Sequence, residues 1–339
     1  MKGGNAKYFI LFSTAIVLAA LLDLMTGSVS LAPSDIFSYL SGGSNGQAAN
    51  STLGVIMQFR LLKMLAALMS GAALGCCGLL MQTLFRNPLA DPYILGISSA
   101  SGLGVSIFVL GSSALGLGAG TMFHSLGIAG SALAGAFALA LLIIYVSRRL
   151  KDNLSLLIFG IMVGSVASAI ITMLQYLSAD SALKMYVLWT MGSFSGLSVQ
   201  SVAALAVMLL AGLLLSVLSI KDLNTLLMGE TYAQAIGLNT GRIKIKVLLA
   251  ATFLAGGVTA FCGPIGFVGI AIPHVARFIF RNSNHRILLP ASILLGAFVM
   301  LIVDMISTCP AGGVLIPVNT VAALMGIPVI LAIILKNRK

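Results

Sequence analysis

The sequence predicts an all-α polytopic membrane protein of about ten transmembrane helices, with both ends in the cytoplasm. Three observations carry that expectation. Of 339 residues, 59% are hydrophobic and only 8% charged, whereas a soluble domain carries about 25% charged residues. The apolar residues gather into runs near the ~20 residues that a bilayer core requires. The net charge of +11, from 19 Lys+Arg against 8 Asp+Glu, is scattered between those runs. A nucleic-acid surface would cluster it on a polar face, so lipid is expected as a partner and nucleic acid is not.

Residues 8–27 form the first span. Lys2 and Lys7 before an apolar stretch could also open a secretory signal, but no small-x-small cleavage site follows. The Gly/Ser/Asn-rich stretch 28–57 reads as an external loop with one short helix. Spans follow at 58–84, 93–110, 123–146 and 154–177. Residues 181–196 read as a half-helix dipping in from one side, because Tyr186 and Trp189 suit an interface. Spans at 198–219, 246–262, 267–280, 288–306 and 318–335 complete the set, the eighth short and tilted around Pro273. With the N-terminus inside, sixteen of the 19 cations face the cytoplasm, leaving Arg60, Lys63 and Lys184 outside. Removing any one span would scramble that bias. Pairing span 2 with span 7 would give inverted repeats within a single transmembrane domain covering 1–339.

Asp23 and Asp304 fall near the external ends of spans 1 and 9, and the sole glutamate, Glu230, lies in no span. A proton relay, which keeps carboxylates at mid-membrane, has little to work with. No G-x-x-x-x-G-K-[S/T] phosphate loop occurs; GLNTGRIK (237–244) lacks its ending. His124, His274 and His285 show no metal spacing, so no catalytic residue, metal or cofactor is expected in this chain. Cys76, Cys77, Cys262 and Cys309 read as small core residues. Many of the 37 glycines sit inside spans: Gly71 and Gly75, Gly160 and Gly164, Gly256 and Gly257. Small residues of this kind let helices approach closely in lipid.

Three segments say more. After span 2, Arg86, Asn87, Pro88, Asp91 and Pro92 make a tight turn at the cytoplasmic rim, since proline cannot donate a backbone hydrogen bond. The stretch 223–246 is too polar to span, yet places Leu223, Leu226, Leu227, Ala233 and Ile236 at helical spacing, with Gly229 and Gly237 breaking it into two short helices. Such a pair is a docking surface for another protein or an interfacial helix on lipid. At 262–297, Gly263, Pro264, Gly266, Gly269 and Pro273 make an irregular backbone, tolerated at membrane depth only inside protein or beside a water-filled cavity. His274 there reads as a cap or a hydrogen bond rather than a metal ligand.

The ordered motifs RNPLADP (86–92) with LGISSASG (95–102), MGETYAQAIG (228–237), GPIGFVGIAIPHVAR (263–277) and HRILLPASILLGA (285–297) resemble the FecCD-like permease family of ABC importers. That family includes iron–siderophore, haem and vitamin B12 permeases, and the resemblance covers nearly the whole chain. It implies a homodimeric permease of a bacterial or archaeal cytoplasmic (inner) membrane. Two ATPase subunits, with ATP and magnesium, would lie below it, and an extracellular or periplasmic substrate-binding protein outside. It makes Leu227, Gly229, Glu230, Ala233 and Gly237 the ATPase-coupling positions, and Arg60 and Lys63 the basic positions that pair with acids on the binding protein. Gly263, Pro264, Gly266, Gly269, Pro273 and His274 would form the gate segment, and spans 5, 8, 10 and the half-helix would border the pathway. The sequence departs from the pattern at Lys63, Thr308, Leu315 and Asn319, which implies a variant binding protein or substrate, molybdate-type oxyanions included. The alternatives are an ion-coupled transporter or channel without an ATPase, and a membrane scaffold or enzyme.

Overall fold

The structure, a computed structural model, describes residues 3–27, 52–111, 124–150, 153–309 and 316–336. Most of the expected external loop, and Leu315, lie outside the described residues. The chain runs through α1 (Gly3–Met25), α2 (Thr52–Leu84), α3 (Ile97–Ser106, continued by a π-turn at Ile107–Gly111), α4 (His124–Ser147) and α5 (Asn153–Leu177). The half-helix α6 (Asp180–Thr190) and α7 (Val199–Leu218) lead to two short helices, α8 (Ile220–Leu226) and α9 (Glu230–Ala235). Then come α10 (Thr240–Ala251), a π-turn (Thr252–Gly256), α11 (Gly257–Cys262), α12 (Val268–Phe280), α13 (His285–Thr308) and α14 (Val318–Lys336). Seven of these stretches are long and apolar enough to cross a membrane. The three shorter apolar helices at 97–111, 268–280 and 318–332 bring the spans to the ten expected. A helix is the form this chain must take in lipid, because each peptide group finds its partner within the segment.

Helix boundaries follow local chemistry. Ser198 starts α7 by accepting from the Ser201 amide, Asn239 starts α10 by accepting from Arg242, and Asn284 starts α13 by accepting from Arg286. Each side-chain oxygen satisfies an amide that the first turn leaves open.

α2 is the hub, with 83% of its most apolar stretch buried, and it packs on α13, α12, α7 and α10. Its glycines make this possible. A Cβ on Gly71 would overlap the carbonyl of Gly296, one on Gly296 would overlap the carbonyl of Gly71, and one on Gly78 would overlap the carbonyl of Gly269. Gly160 and Gly164 of α5 let Leu95 and Gly96 approach in the same way. The packing repeats with an offset of five spans. α2 lies on α12 and α13 as α10–α11 lie on α3 and α4, and α3 touches α4 and α5 as α12 touches α13 and α14. The first two short spans also open from a left-handed residue, Gly96 (φ 83°) before α3 and Phe267 (φ 68°) before α12.

Gly71→Leu should force α2 and α13 apart at a cost of about 1–3 kcal/mol. It should lower the thermal midpoint in detergent, whereas Gly130→Leu, which meets only open space, should leave it unchanged. Equal midpoints for the two variants would remove the close-approach argument.

Candidate functional site

The cytoplasmic face is built around α8 and α9. Gly229 (φ 116°) and Gly237 (φ 87°) adopt backbone angles that disfavour a side chain, which is why the two helices break where they do. Leu223, Leu226 and Ala233 are buried against the membrane helices, while Leu227, Met228, Tyr232 and Ile236 are exposed, Met228 by 72%. The pair thus has an inward apolar face and a second one pointing away from the protein.

Two polar networks hold this pair to the spans. Glu230 accepts from Lys244 of α10 at 2.9 Å and from the Asn153 amide of α5 at 3.3 Å, and Asn153 also donates to the Leu84 carbonyl closing α2 at 3.1 Å. Asn224 of α8 accepts from the His285 backbone amide at 2.8 Å and lies 2.9 Å from His285 Nδ1, while His285 Nε2 sits 2.8 Å from the Thr83 hydroxyl of α2. Both networks converge on the last turn of α2. A third lies beside them: Arg277 donates to Gln82 Oε1 at 2.6 Å, and Gln82 and His274 both donate to the Ile270 carbonyl. His274 thus bonds a carbonyl one turn back on its own helix.

The rim turn has the expected shape. Arg86 (φ 49°) is exposed, Asn87 Oδ1 accepts from the Leu89 amide, and Asp91 Oδ1 accepts from the Tyr93 amide at 2.8 Å. Burial pushes the Asp91 carboxyl up to about 6, with Pro92 buried beside it. Gly269 leaves room for Asp91 Oδ2, which a Cβ would approach to 2.8 Å.

The irregular segment between α11 and α12 is held by neighbouring elements. Gly263 (φ 77°) lies against the end of α6, Ser193 donates to the Cys262 carbonyl, the Ile265 amide donates to the Tyr93 hydroxyl at 2.9 Å, and the Gly266 amide donates to Asn319 Oδ1 at 3.1 Å. Pro264 lines a groove beside α6, and Pro273 is buried within α12. Asn319, a departure from the family pattern, also donates its amide to the Met191 carbonyl, so it joins α14, α6 and the irregular segment.

The outer ends of α1, α2 and α13 hold a buried cluster of charges. Arg60 and Lys63 do not project outward; they are 7% and 8% exposed. Lys63 Nζ lies 2.9 Å from Asp304 and 3.7 Å from Asp23, and donates to Thr308 at 3.4 Å. Arg60 donates to the Leu24 carbonyl at 2.7 Å and is attracted by Asp23. Two cations and two carboxylates thus gather in one buried cluster. Cys76, Cys77 and Cys262 are buried as expected, but Cys309 is exposed.

Residues with no motif join these sites: Gln82, Asn153, Asn224, Lys244 and Asn284. The available signal was an amide or cation within a turn of a span's end, where an unpartnered polar group would be costly.

Such a fold, a bundle of apolar helices with a short helix pair exposing Leu227, Met228, Tyr232 and Ile236 at its cytoplasmic end, is that of a multi-pass transport permease of the inner membrane. The FecCD transport family model matches residues 15–336, and the chain belongs to that family. It is 33% identical over 336 residues to the vitamin B12 import system permease protein BtuC of Salmonella typhi, covering 99% of this chain and 97% of that one. The same identity holds for BtuC of Citrobacter koseri, at 99% and 96% coverage. An inward-facing structure of a metal-chelate type ABC transporter superposes with a TM-score of 0.81 at 28% identity, over 98% of this chain and 99% of that one. PsaBC from Streptococcus pneumoniae in complex with Fab shares the fold more distantly (TM-score 0.52, 17% identity, 81% and 90% coverage).

Removing Lys63 alone strands two buried carboxylates. Lys63→Met should destabilise the protein by about 3–5 kcal/mol, read as a lower thermal midpoint in detergent. Adding Asp304→Asn, which leaves Arg60 with Asp23, should recover most of the loss. No recovery would mean that packing of the lysine stem, and not charge balance, matters there.

Proposed function

We propose that this chain is the permease subunit of a binding-protein-dependent ABC importer. Two copies enclose the pathway, ATPase subunits seat on α8–α9, and a substrate-binding protein delivers a metal chelate from outside. The observation that carries the reading is the α8–α9 pair. It exposes Leu227, Met228, Tyr232 and Ile236 to the cytoplasm while Glu230 and Asn224 tie its other side to α5, α10 and α13 and, through Asn153 and His285, to α2. A partner that pushes on the exposed face moves ends of four spans together. ATP and magnesium belong to the partner, which leaves this chain a conduit and not an enzyme.

The cargo is a siderophore–iron complex, a haem or a cobamide. Similarity to vitamin B12 permeases supports the cobamide most. The carboxylates of the spans support no ion-coupled mechanism, because Asp23 and Asp304 are held by Lys63.

Met228→Glu with Tyr232→Glu should abolish co-purification of the ATPase subunit and ATP-driven uptake, while the permease is recovered at the wild-type yield. Retained co-purification would move the docking surface elsewhere. Uptake in vesicles that survives ATP depletion and collapses with an ionophore would replace the importer by an ion-coupled transporter.

A further inference from the structure

Two neighbouring spans, α4 and α10, carry matching stripes along the cytoplasmic half of the membrane. On α4, Phe137, Leu141, Tyr145 and Arg149 recur every four residues, the spacing of one helix face. On α10 and its π-turn, Phe253, Leu249, Ile245 and Arg242 recur every three or four in the opposite direction. The stripes meet at mid-span, where the Phe137 and Phe253 rings stand edge to face with centroids 5.2 Å apart. A second contact fixes this register: a Cβ on Gly256 would lie 3.1 Å from that of Ala136.

From that stack each stripe climbs to an arginine over about 17 Å of helix. One leaflet of a bilayer core ~30 Å thick is about 15 Å deep, so both arginines arrive at the cytoplasmic headgroups at one level. Leu141 and Tyr145 are well exposed. Ile245 and Leu249 are half-buried on the side of α10 away from Ala251, whose carbonyl meets Cys77 of α2. The result is a seam with an exposed wall and a recessed floor. Arg149 folds back over the Tyr145 ring, 5.9 Å from its centroid, which holds the guanidinium beside the apolar stripe. Arg149 and Arg242 are exposed, and among the described residues neither pairs with a carboxylate. The acids of this rim, Glu230 and Asp222, are engaged with Lys244 and Lys246.

We infer that the seam between α4 and α10 is a binding site for one anionic phospholipid of the cytoplasmic leaflet, its phosphate held by Arg149 and Arg242 and an acyl chain lying along Ile245 and Leu249. The two ends of the seam differ as the two parts of such a molecule do. A guanidinium offers paired N–H groups that fit phosphate oxygens, and cations at the membrane surface draw anionic headgroups. A tyrosine between them suits the boundary of water and hydrocarbon. A soluble anion would satisfy the arginines and leave the apolar floor bare. The exposed face of α8–α9, with Leu227, Met228, Tyr232 and Ile236, lies on other helices, so the seam is not part of that docking surface. The site stands whatever the cargo and whatever drives its transport.

The test reconstitutes the full-length permease with spin-labelled phosphatidylglycerol or phosphatidylcholine and reads the motionally restricted lipid by electron paramagnetic resonance. The wild type should prefer phosphatidylglycerol by about fivefold or more, the scale set by one cation at the membrane surface. Arg149→Gln with Arg242→Gln, recovered at the wild-type thermal midpoint, should bring the two lipids to near equality. Arg281→Gln with Arg286→Gln removes the same charge from the α12–α13 connection and should leave the preference intact. An equal fall in both double variants, or no preference in the wild type, would reduce the effect to the general attraction of a basic chain and overturn the site. Excess inorganic phosphate at constant ionic strength should not release the restricted lipid; release would make this a soluble-anion site instead. If Arg149→Gln with Arg242→Gln loses the co-purifying ATPase but keeps the lipid preference, the arginines contact protein and the inference fails.

Discussion

In lipid, apolar side chains gain nothing by leaving their surroundings, so helices associate through close backbone approach and polar contacts instead. The structure concentrates both on α2. Its middle carries the glycines that admit Gly296 and Gly269. One end carries Arg60 and Lys63, and the other carries Gln82, Thr83 and the Leu84 carbonyl. The chemistry along the helix follows depth: apolar and small where no polar partner can be solvated, charged or amide-bearing where the spans end.

On the importer reading proposed above, this arrangement lets the cytoplasmic helices serve as both a docking surface and a lever. α8 and α9 are too short to be stable alone; they exist because Leu223, Leu226 and Ala233 are buried and because Glu230 and Asn224 are hydrogen-bonded to spans. Their glycine breaks fix the angle between them and free the outer face from any packing duty. A displacement of α9 must either break the Glu230–Lys244 pair or carry α10 with it, and a displacement of α8 has the same relation to α13 through His285. With about 1 kcal/mol typical for each hydrogen bond and more for those to charged groups, several bonds acting together favour moving the spans as a unit.

Much of this was legible beforehand, and the reason differs by feature. Spans, their order and the half-helix follow from apolar runs that the bilayer makes obligatory, so α5 at 153–177 and α12 with its internal Pro273 fall almost where the sequence puts them. The breaks at Gly229 and Gly237 were legible because glycine states a backbone requirement locally. The fate of Arg60 and Lys63 was not. Charge bias reports which end of a span a cation occupies, but whether it faces solvent or the interior depends on Asp304, more than two hundred residues away, and on the rotation of α13. The amides Gln82, Asn153 and Asn224 were missed for the same reason: each is an unremarkable polar residue near a span end until a distant partner is known. Phe267 was missed because nothing in its identity announces a left-handed angle; the segment between Gly263 and α12 imposes it.

The scarcity of acids takes on a definite meaning in this light. Of those in described positions, Asp23 and Asp304 hold Lys63, Glu230 holds Lys244, and Asp222 holds Lys246. Asp91 is buried with one backbone donor, and Asp180 stands in the first turn of α6, where a negative charge complements the helix dipole. Nearly every carboxylate therefore serves the architecture at an end or a rim, and none stands in the groove beside α6.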